Sequence, residues 1–428
     1  MLMTEMHTAR IPGIYRRFAD VIGDRHWKNR VAQLKQEMKG NRFLAEHLKR
    51  ENAIAFQLDH LRELTVKFGG IPTQESNNHF IYPAMSFAAQ VLSIRDASPG
   101  ELAEQFKRRV HGAFRNPDDM RGLRLELSAA THFARRGHKV IWPEMSGAGT
   151  FDLFVEDIGP HGLEVECKSI SGDKGRKIHR REALDFYGLL SPYLQSTKRG
   201  LGTGLSAVLT VPGRLPTQSA DRIELARQFG AHIFTGRSAT LQDGSTIRVA
   251  EFDVQLLGDI PSAINPQEAR ATVDGVTETL NRETMVIGTN AGGALALAVQ
   301  SSQDDTLMKA MFDTLSDSAK RQLSGSRAGM FLTGFHGIDG EQLRSIASQD
   351  RDPTQPPTAL RVAVSRFLAG TGRDHVVGVG FLSESALSPV RDGHIASDGT
   401  AYYFPKIESP HWSEDFSGMF SWSRSKQG

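Results

Sequence analysis

The sequence predicts an α/β protein, and three observations carry that prediction. The first hundred or so residues place apolar side chains at helical spacing, as in Trp27–Leu48 and Ala53–Phe68. Residues 117–212 combine amphipathic segments with short strand-like runs. A further mixture of strand-like and helix-like segments follows from about residue 284. We therefore expect a helical region at 1–115, an α/β core at 116–258 and an α/β region at 259–428.

Composition narrows the class of protein. The chain has 428 residues, and 51 Lys and Arg against 49 Asp and Glu give a net charge of +2, which neither supports nor excludes nucleic-acid binding. The single cysteine, Cys167, excludes an intramolecular disulfide and a Cys-rich zinc module. No run approaches the roughly 18 apolar residues that span a bilayer, and the N-terminus lacks a secretory signal pattern. We expect a cytoplasmic protein that does not enter membranes.

The predicted core has the order helix, three strands, helix, strand. Asn116-Pro117 is a favourable helix start, and Gly137 ends the segment. The other predicted elements of the core are strands at Lys139–Trp142, Phe151–Val155 and Leu163–Ile170, a helix at about Ile178–Gln195 and a strand at Leu205–Val211. Beyond it we predict a helix at Asp221–Phe229, strands at His232–Phe234 and Thr246–Phe252, and a linker or peripheral helix at 259–282.

The third predicted strand carries ionisable residues on one face. The segment Leu163–Lys168 alternates strictly, so Glu164, Glu166 and Lys168 project to the same side. Asp152 precedes Glu166 by fourteen residues, across a Gly-Pro-His-Gly turn. Two antiparallel strands joined by that turn would place the two carboxylates side by side.

Such a carboxylate pair has a clear chemical use. Adjacent carboxylates repel, and a hard divalent cation with oxygen ligands relieves the repulsion. Mg²⁺ suits the site, with Mn²⁺ as an alternative, because it needs few protein ligands and keeps positions for water and phosphate. Lys168 is placed to hold or help deprotonate an attacking water. Glu126 lies on the apolar face of the first core helix, from which a third carboxylate would complete the metal site.

These residues resemble the site of the PD-(D/E)XK nuclease superfamily, which has a restriction-endonuclease-like αβββαβ core. The resemblance covers about a hundred residues and matches Glu126, Asp152 and the pair Glu166 and Lys168, with Phe151 where the family name has proline. It implies a Mg²⁺-dependent endonuclease that hydrolyses phosphodiester bonds. It also implies that the backbone carbonyl of Cys167 is a metal ligand, while strand alternation makes the thiol a buried structural group.

A basic segment follows the third strand. Lys174, Arg176, Lys177, Arg180 and Arg181 form most of it, and we predict that they contact nucleic-acid phosphates, in DNA rather than RNA. Taken alone, the segment is better explained as a solvated loop and helix start, and phosphate binding is favoured only together with the nuclease interpretation. Lys107, Arg108, Arg109 and Arg115 would extend the basic surface.

Two alternatives stay open at this stage. Glu166 and Lys168 also fit an ordinary cross-strand ion pair. The whole chain also fits a catalytically inactive nuclease-fold protein that acts as a nucleic-acid-binding or assembly module. A homodimer or a partner protein is compatible with both functions. A role in restriction or phage defence is suggested by analogy alone.

Overall fold

The computed structural model describes residues 5–98, 100–143, 147–257, 275–277, 282–335, 338–383, 387–391, 393–397 and 399–420. The chain forms two compact units. The first consists of Met1–Lys35, Lys49–Lys174 and Met308–Gly428, and the second of Gln36–Leu48 and Gly175–Leu307. The division at residues 116 and 259 stays a prediction, because compactness does not establish which parts fold independently.

The described residues are mixed α and β, which confirms the predicted class. The helices are α1 Ile11–Ile22, α2 Arg25–Gly40, α3 Ala45–Glu51, α4 Ala53–Phe68, α5 Tyr82–Ala97, α6 Gly100–Ala113, α7 Pro117–Arg135, α8 Arg180–Leu190, α9 Gln195–Gly200, α10 Ser219–Thr235, α11 Leu307–Arg321, α12 Gly340–Arg351 and α13 Ala359–Leu368. The strands are β1 Glu5–His7, β2 Val140–Ile141, β3 Leu153–Val155, β4 Leu163–Ile170, β5 Gly204–Val211, β6 Ala239–Thr240, β7 Thr246–Phe252, β8 Arg282–Gly288, β9 Ala294–Ser301, β10 Ala328–Phe335, β11 Val376–Leu382, β12 Leu387–Arg391, β13 His394–Ser397 and β14 Ala401–Pro405. As the sequence predicted, the chain before residue 115 is mostly helical.

A six-stranded mixed sheet organises the first unit, in the order β14-β11-β10-β4-β3-β2. Strands β2, β3 and β4 form the predicted antiparallel meander, with Leu153 opposite Val165. On its other side β4 pairs in parallel with β10, so that Cys167 lies opposite Leu332 and Lys168 opposite Thr333. Strand β10 in turn pairs in parallel with β11.

The predicted place of the fourth core strand, next to the third in the same sheet, is wrong. Residues 204–211 do form a strand, β5, but it belongs to the five-stranded sheet β6-β7-β5-β9-β8 of the second unit. The neighbour of β4 is β10, whose sequence lies more than 150 residues further along the chain. A parallel pair needs a long crossover, and the apolar pattern of a strand does not specify which later strand it will join.

Helix α7 packs against this sheet and positions part of the candidate site. Asn116 caps its first turn, with the side-chain oxygen accepting a hydrogen bond from the Asp118 backbone N–H, and Pro117 follows at the start. One buried face of α7 shares an apolar core with strands β3, β4 and β10. That core includes Ala129, Ala130, Phe133, Leu153, Val165, Cys167, Met330 and Leu332.

Three smaller sequence predictions concern the rest of the chain. His232–Phe234, predicted as a strand, is the last part of helix α10, because its three residues continue the helical turn up to the αL cap at Gly236. The predicted linker at 259–282 lies outside the described residues, apart from 275–277 and Arg282. Of the helices in the ranges given above, none is long and apolar enough to cross a membrane.

Candidate active site

The meander of β3 and β4 brings Asp152 and Glu166 to neighbouring positions. Asp152 immediately precedes β3, and the pairing of Leu153 with Val165 places it beside Glu166 on the adjoining strand. The Oδ2 atom of Asp152 accepts a hydrogen bond of 2.8 Å from the backbone N–H of Cys167. Both carboxylates are buried, with Asp152 8% and Glu166 1% exposed. The strand geometry expected from the fourteen-residue spacing is therefore present.

Lys168 lies in a defined position on the same strand. Its Nζ is 2.6 Å from Oε1 of Glu166 and donates a hydrogen bond of 2.7 Å to Oε1 of Gln322. Gln322 follows helix α11, and its backbone carbonyl accepts a hydrogen bond of 2.7 Å from the hydroxyl of Thr150. The residues after α11 are thus bonded both to Lys168 and to the segment that leads into Asp152.

Glu126 contributes a third buried carboxylate from helix α7, as the helical pattern predicted. It is 4% exposed, and its Oε1 accepts a hydrogen bond of 2.7 Å from Nη2 of Arg109 on helix α6. The same Nη2 lies 3.9 Å from Oδ1 of Asp152. One guanidinium is therefore within ion-pair distance of two of the three carboxylates.

The pKa of the Cys167 thiol reflects the negative charge of the three surrounding carboxylates. The residue is buried, and burial raises the pKa of its thiol well above the usual value. The charges of Asp152, Glu126 and Glu166 raise it further, against the smaller opposing effect of Lys168. The thiol stays protonated at neutral pH and is not an activated nucleophile. That all three acids act on one sulfur also indicates that they share one neighbourhood.

A preformed metal centre was not found in the described ranges. No group of three or more His, Cys, Asp or Glu side chains there has an arrangement that would hold a metal ion. The oxygen donors for a hard cation are the carboxylates of Glu126, Asp152 and Glu166, which now contact Arg109, the Cys167 N–H and Lys168. The metal-ligand role of the Cys167 carbonyl stays a prediction.

Glu164 differs from its two neighbours on the same face of β4. It is 1% exposed, and its two carboxylate oxygens accept hydrogen bonds from the backbone N–H and hydroxyl of Ser324, at 2.8 and 2.5 Å. Ser324 lies in the turn between α11 and β10. Glu164 therefore anchors a turn.

The basic segment after β4 is largely engaged with acidic residues. Arg176 contacts the carboxylates of Glu283 and Asp305, and Arg180 contacts Glu283 at 3.3 Å. Arg181 contacts Glu37, and its Nε lies 3.9 Å from Asp185. The backbone N–H of Lys177 donates to Asp305 at 2.9 Å. All of these contacts lie within the second unit, whereas Lys174 is the last residue of a first-unit segment.

Two residues at the site were missed or misread from the sequence. Gln322 was not considered, because no local signal marks a glutamine that follows a helix in a distant part of the chain. Arg109 was interpreted as part of an extended basic surface, yet it faces Glu126. A helical wheel of α6 separates Arg109 from Lys107 by about 200° and would have suggested that the two face different surroundings.

Comparison of the chain with protein-family models, with curated proteins and with solved structures finds no match.

Proposed function

We propose that this protein is a metal-dependent nuclease that hydrolyses phosphodiester bonds in nucleic acid, with DNA as the preferred substrate and Mg²⁺ as the metal. The observation that carries the proposal is the convergence of Asp152, Glu166 and Lys168 at the junction of β3 and β4. The buried carboxylate of Glu126 lies in the same neighbourhood. A role in restriction or phage defence would follow from such an activity only by analogy.

The element order of the first unit supports the resemblance to PD-(D/E)XK nucleases in a modified form. Helix α7 and strands β2, β3 and β4 supply the first four elements. Helix α11 and strand β10, parallel to β4, supply the last two. This assignment would complete the αβββαβ order, with residues 175–306 inserted between the third strand and the second helix.

The oxygen donors of the cluster suit a hard divalent cation by their chemistry, although their arrangement in the described residues is not that of a preformed metal centre. Three carboxylates are at most 8% exposed and lie close enough to act on the same thiol. Burying several negative charges together is unfavourable unless positive charge accompanies them. Arg109 supplies one positive charge at Glu126 and Asp152. Glu126, Asp152 and Glu166 would hold the metal, which would polarise a phosphoryl oxygen and lower the pKa of a bound water.

Lys168 is the residue best placed to handle the water. An ammonium group has three N–H donors, and the described residues supply acceptors for two of them, in Glu166 and Gln322. The third donor would hold the attacking water or a phosphate oxygen. In the hydrolysis the water oxygen bonds to phosphorus and the P–O bond to the leaving sugar oxygen breaks. The water loses a proton to solvent, and the leaving oxygen gains one.

A second candidate function, a non-catalytic binding or assembly module, is favoured by one observation. Arg109 contacts Glu126 and lies near Asp152, so ion pairs within the chain already neutralise part of the cluster. A nuclease fold that had lost its activity would gain stability from such a closed arrangement. The two functions differ in a single measurable property, cleavage.

The test is incubation of the purified protein with plasmid, linear DNA, single-stranded DNA and RNA, with and without Mg²⁺. We expect metal-dependent cleavage, and we expect Lys168→Ala to slow it at least about 100-fold because the group that holds the water is lost. Lys139→Ala is the matched control, since Lys139 is exposed and pairs with Glu156. Equal activity in all three proteins would contradict the site assignment. Binding without cleavage in every condition would favour the non-catalytic module.

A further inference from the structure

A second charged cluster lies in the first unit, where helices α2 and α6 meet. The imidazole rings of His26 and His111 stack there, with centroids 3.8 Å apart and an angle of 17° between the rings. Nε2 of His111 is 2.9 Å from the backbone carbonyl of Ile22 and must carry the proton, because a carbonyl only accepts. The ring pair is therefore fixed by one defined hydrogen bond.

Three cationic residues lie close enough to this pair to affect the pKa of both rings. Lys107 lies one helical turn before His111 on α6, and Arg115 follows four residues after it, in the turn that precedes α7. Arg25 begins α2, next to His26, and the first turn of α2 contains no acidic residue. Burial, the neighbouring His111 ring and the charges of Arg25, Arg115 and Lys107 lower the pKa of His26 to about 4. Burial, Lys107, Arg25 and Arg115 also lower the pKa of His111, against the Ile22 hydrogen bond, which raises it.

The cluster has no acidic complement in the part of the chain that the structure describes. No carboxylate there lies within ion-pair distance of Arg25, Lys107 or Arg115, and no carboxylate contributes to the pKa of either histidine. Nε2 of His26 is buried and has no hydrogen-bond partner among those residues. Like charges gathered in this way repel one another, which disfavours the folded state until an anion joins them.

We infer that Arg25, His26, Lys107, His111 and Arg115 form a phosphate-binding site that holds the backbone of a nucleic-acid strand, separate from the carboxylates of the candidate active site. The polymer is indicated by the extent of the cluster. Lys107 and His111 alone span about 6 Å along α6, and Arg25 and His26 come from a second helix. Groups that come from three segments and extend over at least this length can contact successive phosphates of a strand, which carries one charge per nucleotide.

This site deepens the proposed function and rests on it only for the choice of polymer. It would fix the position of the strand without reading its sequence, as phosphate contacts do. Helix α6 would then serve both sites, with Lys107 and His111 at the backbone and Arg109 at the carboxylates. Phosphate binding at this site needs no metal. Binding of nucleic acid can therefore be measured in EDTA, which removes the metal that cleavage would need.

The experiment measures binding of a labelled 20-nucleotide single strand, and of its duplex, in EDTA over a range of salt concentrations. We expect the triple variant Arg25→Gln, Lys107→Gln and Arg115→Gln to flatten the dependence of log K on log salt. The slope should fall by about 2 for the single strand and about 2.7 for the duplex, which is the loss of three phosphate contacts. The imidazole signals of His26 and His111 should move toward the protonated form when the wild type binds the strand.

The matched control removes the same charge elsewhere. Lys67, Arg351 and Arg366 are exposed on other helices, and their triple change to Gln should leave the slope within about 0.5 of wild type. Equal flattening in both triple variants would overturn the proposal, as would an unchanged slope in the first. Binding of the wild type to anionic phospholipid vesicles but not to either nucleic acid would also overturn it. The two proposals can fail separately. The protein can show the expected loss of salt dependence without cleaving nucleic acid, or it can cleave nucleic acid without showing that loss.

Discussion

The chain has two basic regions, and they differ in what faces the positive charges. In the segment that follows β4, Arg176, Arg180 and Arg181 each contact a carboxylate. At the junction of α2 and α6, Arg25, Lys107 and Arg115 contact none of the described acids. The first region has the higher density of basic residues in the sequence. The second gathers its charge from positions that are far apart in the chain.

The difference teaches that sequence density of charge does not indicate which cations are available to a ligand. A buried arginine requires a negatively charged partner, because an uncompensated buried charge is unfavourable. Glu283 is that partner for both Arg176 and Arg180, as expected for an ion-pair network that stabilises the second unit. A single exposed cation without an acidic partner costs little folding free energy. Three such cations beside a histidine pair create a lasting positive potential. We therefore expect the first region to stabilise the second unit, and the second region to be the binding surface proposed above.

Removing the shared acid of the first region should give the largest effect. Glu283→Gln leaves Arg176 and Arg180 without the charge that both contact, and the Arg176 side chain is only 16% exposed. We expect the free energy of unfolding of the second unit to fall by about 3 kcal/mol, as for a broken buried pair. Urea denaturation measures the change, with hydrogen exchange of residues 282–301 as the local signal.

The control for this prediction is Asp313→Asn, which breaks an exposed pair with Lys309 on helix α11. That change should cost about 0.5 kcal/mol or less. If Glu283→Gln were as mild as the control, the first region would not be structural, and its arginines would become candidates for phosphate contacts again.

Arg109 sharpens the comparison, because it shares helix α6 with Lys107 but contacts carboxylates. Arg109→Gln removes the positive charge beside Glu126 and Asp152. If these carboxylates form a cation site, the variant should bind Mn²⁺ at least about tenfold more tightly. This corresponds to a gain of about 1.4 kcal/mol in binding free energy. Isothermal titration calorimetry measures the affinity. Arg108→Gln, at the preceding and exposed position, should leave the affinity unchanged. Weaker binding in Arg109→Gln would show that Arg109 supports the carboxylates instead.

Local elements of the fold could be predicted from the sequence, but their partners could not. Strand Leu163–Ile170 and the start of α7 were found because alternation, a capping asparagine and a proline are local signals. The choice of β5 as the neighbour of β4 failed, because β5 and β10 are both apolar runs of eight residues. Only tertiary packing selects β10. The sequence between β4 and α11, which belongs to the second unit, has no local feature that distinguishes it from a continuation of the first unit.

The candidate site shows the same limit. The proximity of Asp152 and Glu166 followed from spacing across a short turn, and the inward face of Glu126 followed from helical periodicity. Gln322, in the turn between α11 and β10, reaches Lys168 only because β10 pairs with β4. Its contribution depends on a parallel pairing between distant strands, which is the information that a single sequence does not carry.

The smallest expected effect concerns His26 and the second basic region. With a folded pKa of about 4, His26 stays neutral in the folded protein, while an unfolded histidine takes up a proton near pH 6.5. Stability should therefore fall as pH drops below about 6.5, until the folded ring protonates near pH 4. His26→Gln should remove part of this loss between pH 7 and pH 5. The difference should be roughly 1 kcal/mol or less, since the ring is only half-buried and solvent screens the neighbouring charges.

Urea denaturation of the wild type, His26→Gln and the exposed-site control His161→Gln at both pH values tests this. The control should lose as much stability as the wild type. A bound single strand in EDTA should reduce the wild-type loss, because phosphates beside Arg25, Lys107, Arg115 and the stacked His111 would make protonation of His26 easier. If the strand stabilised the wild type and His26→Gln equally at both pH values, the phosphates would lie away from the ring pair. The unpaired cations would then be no more than a solvated surface, and the contrast with the paired arginines would lose its functional meaning.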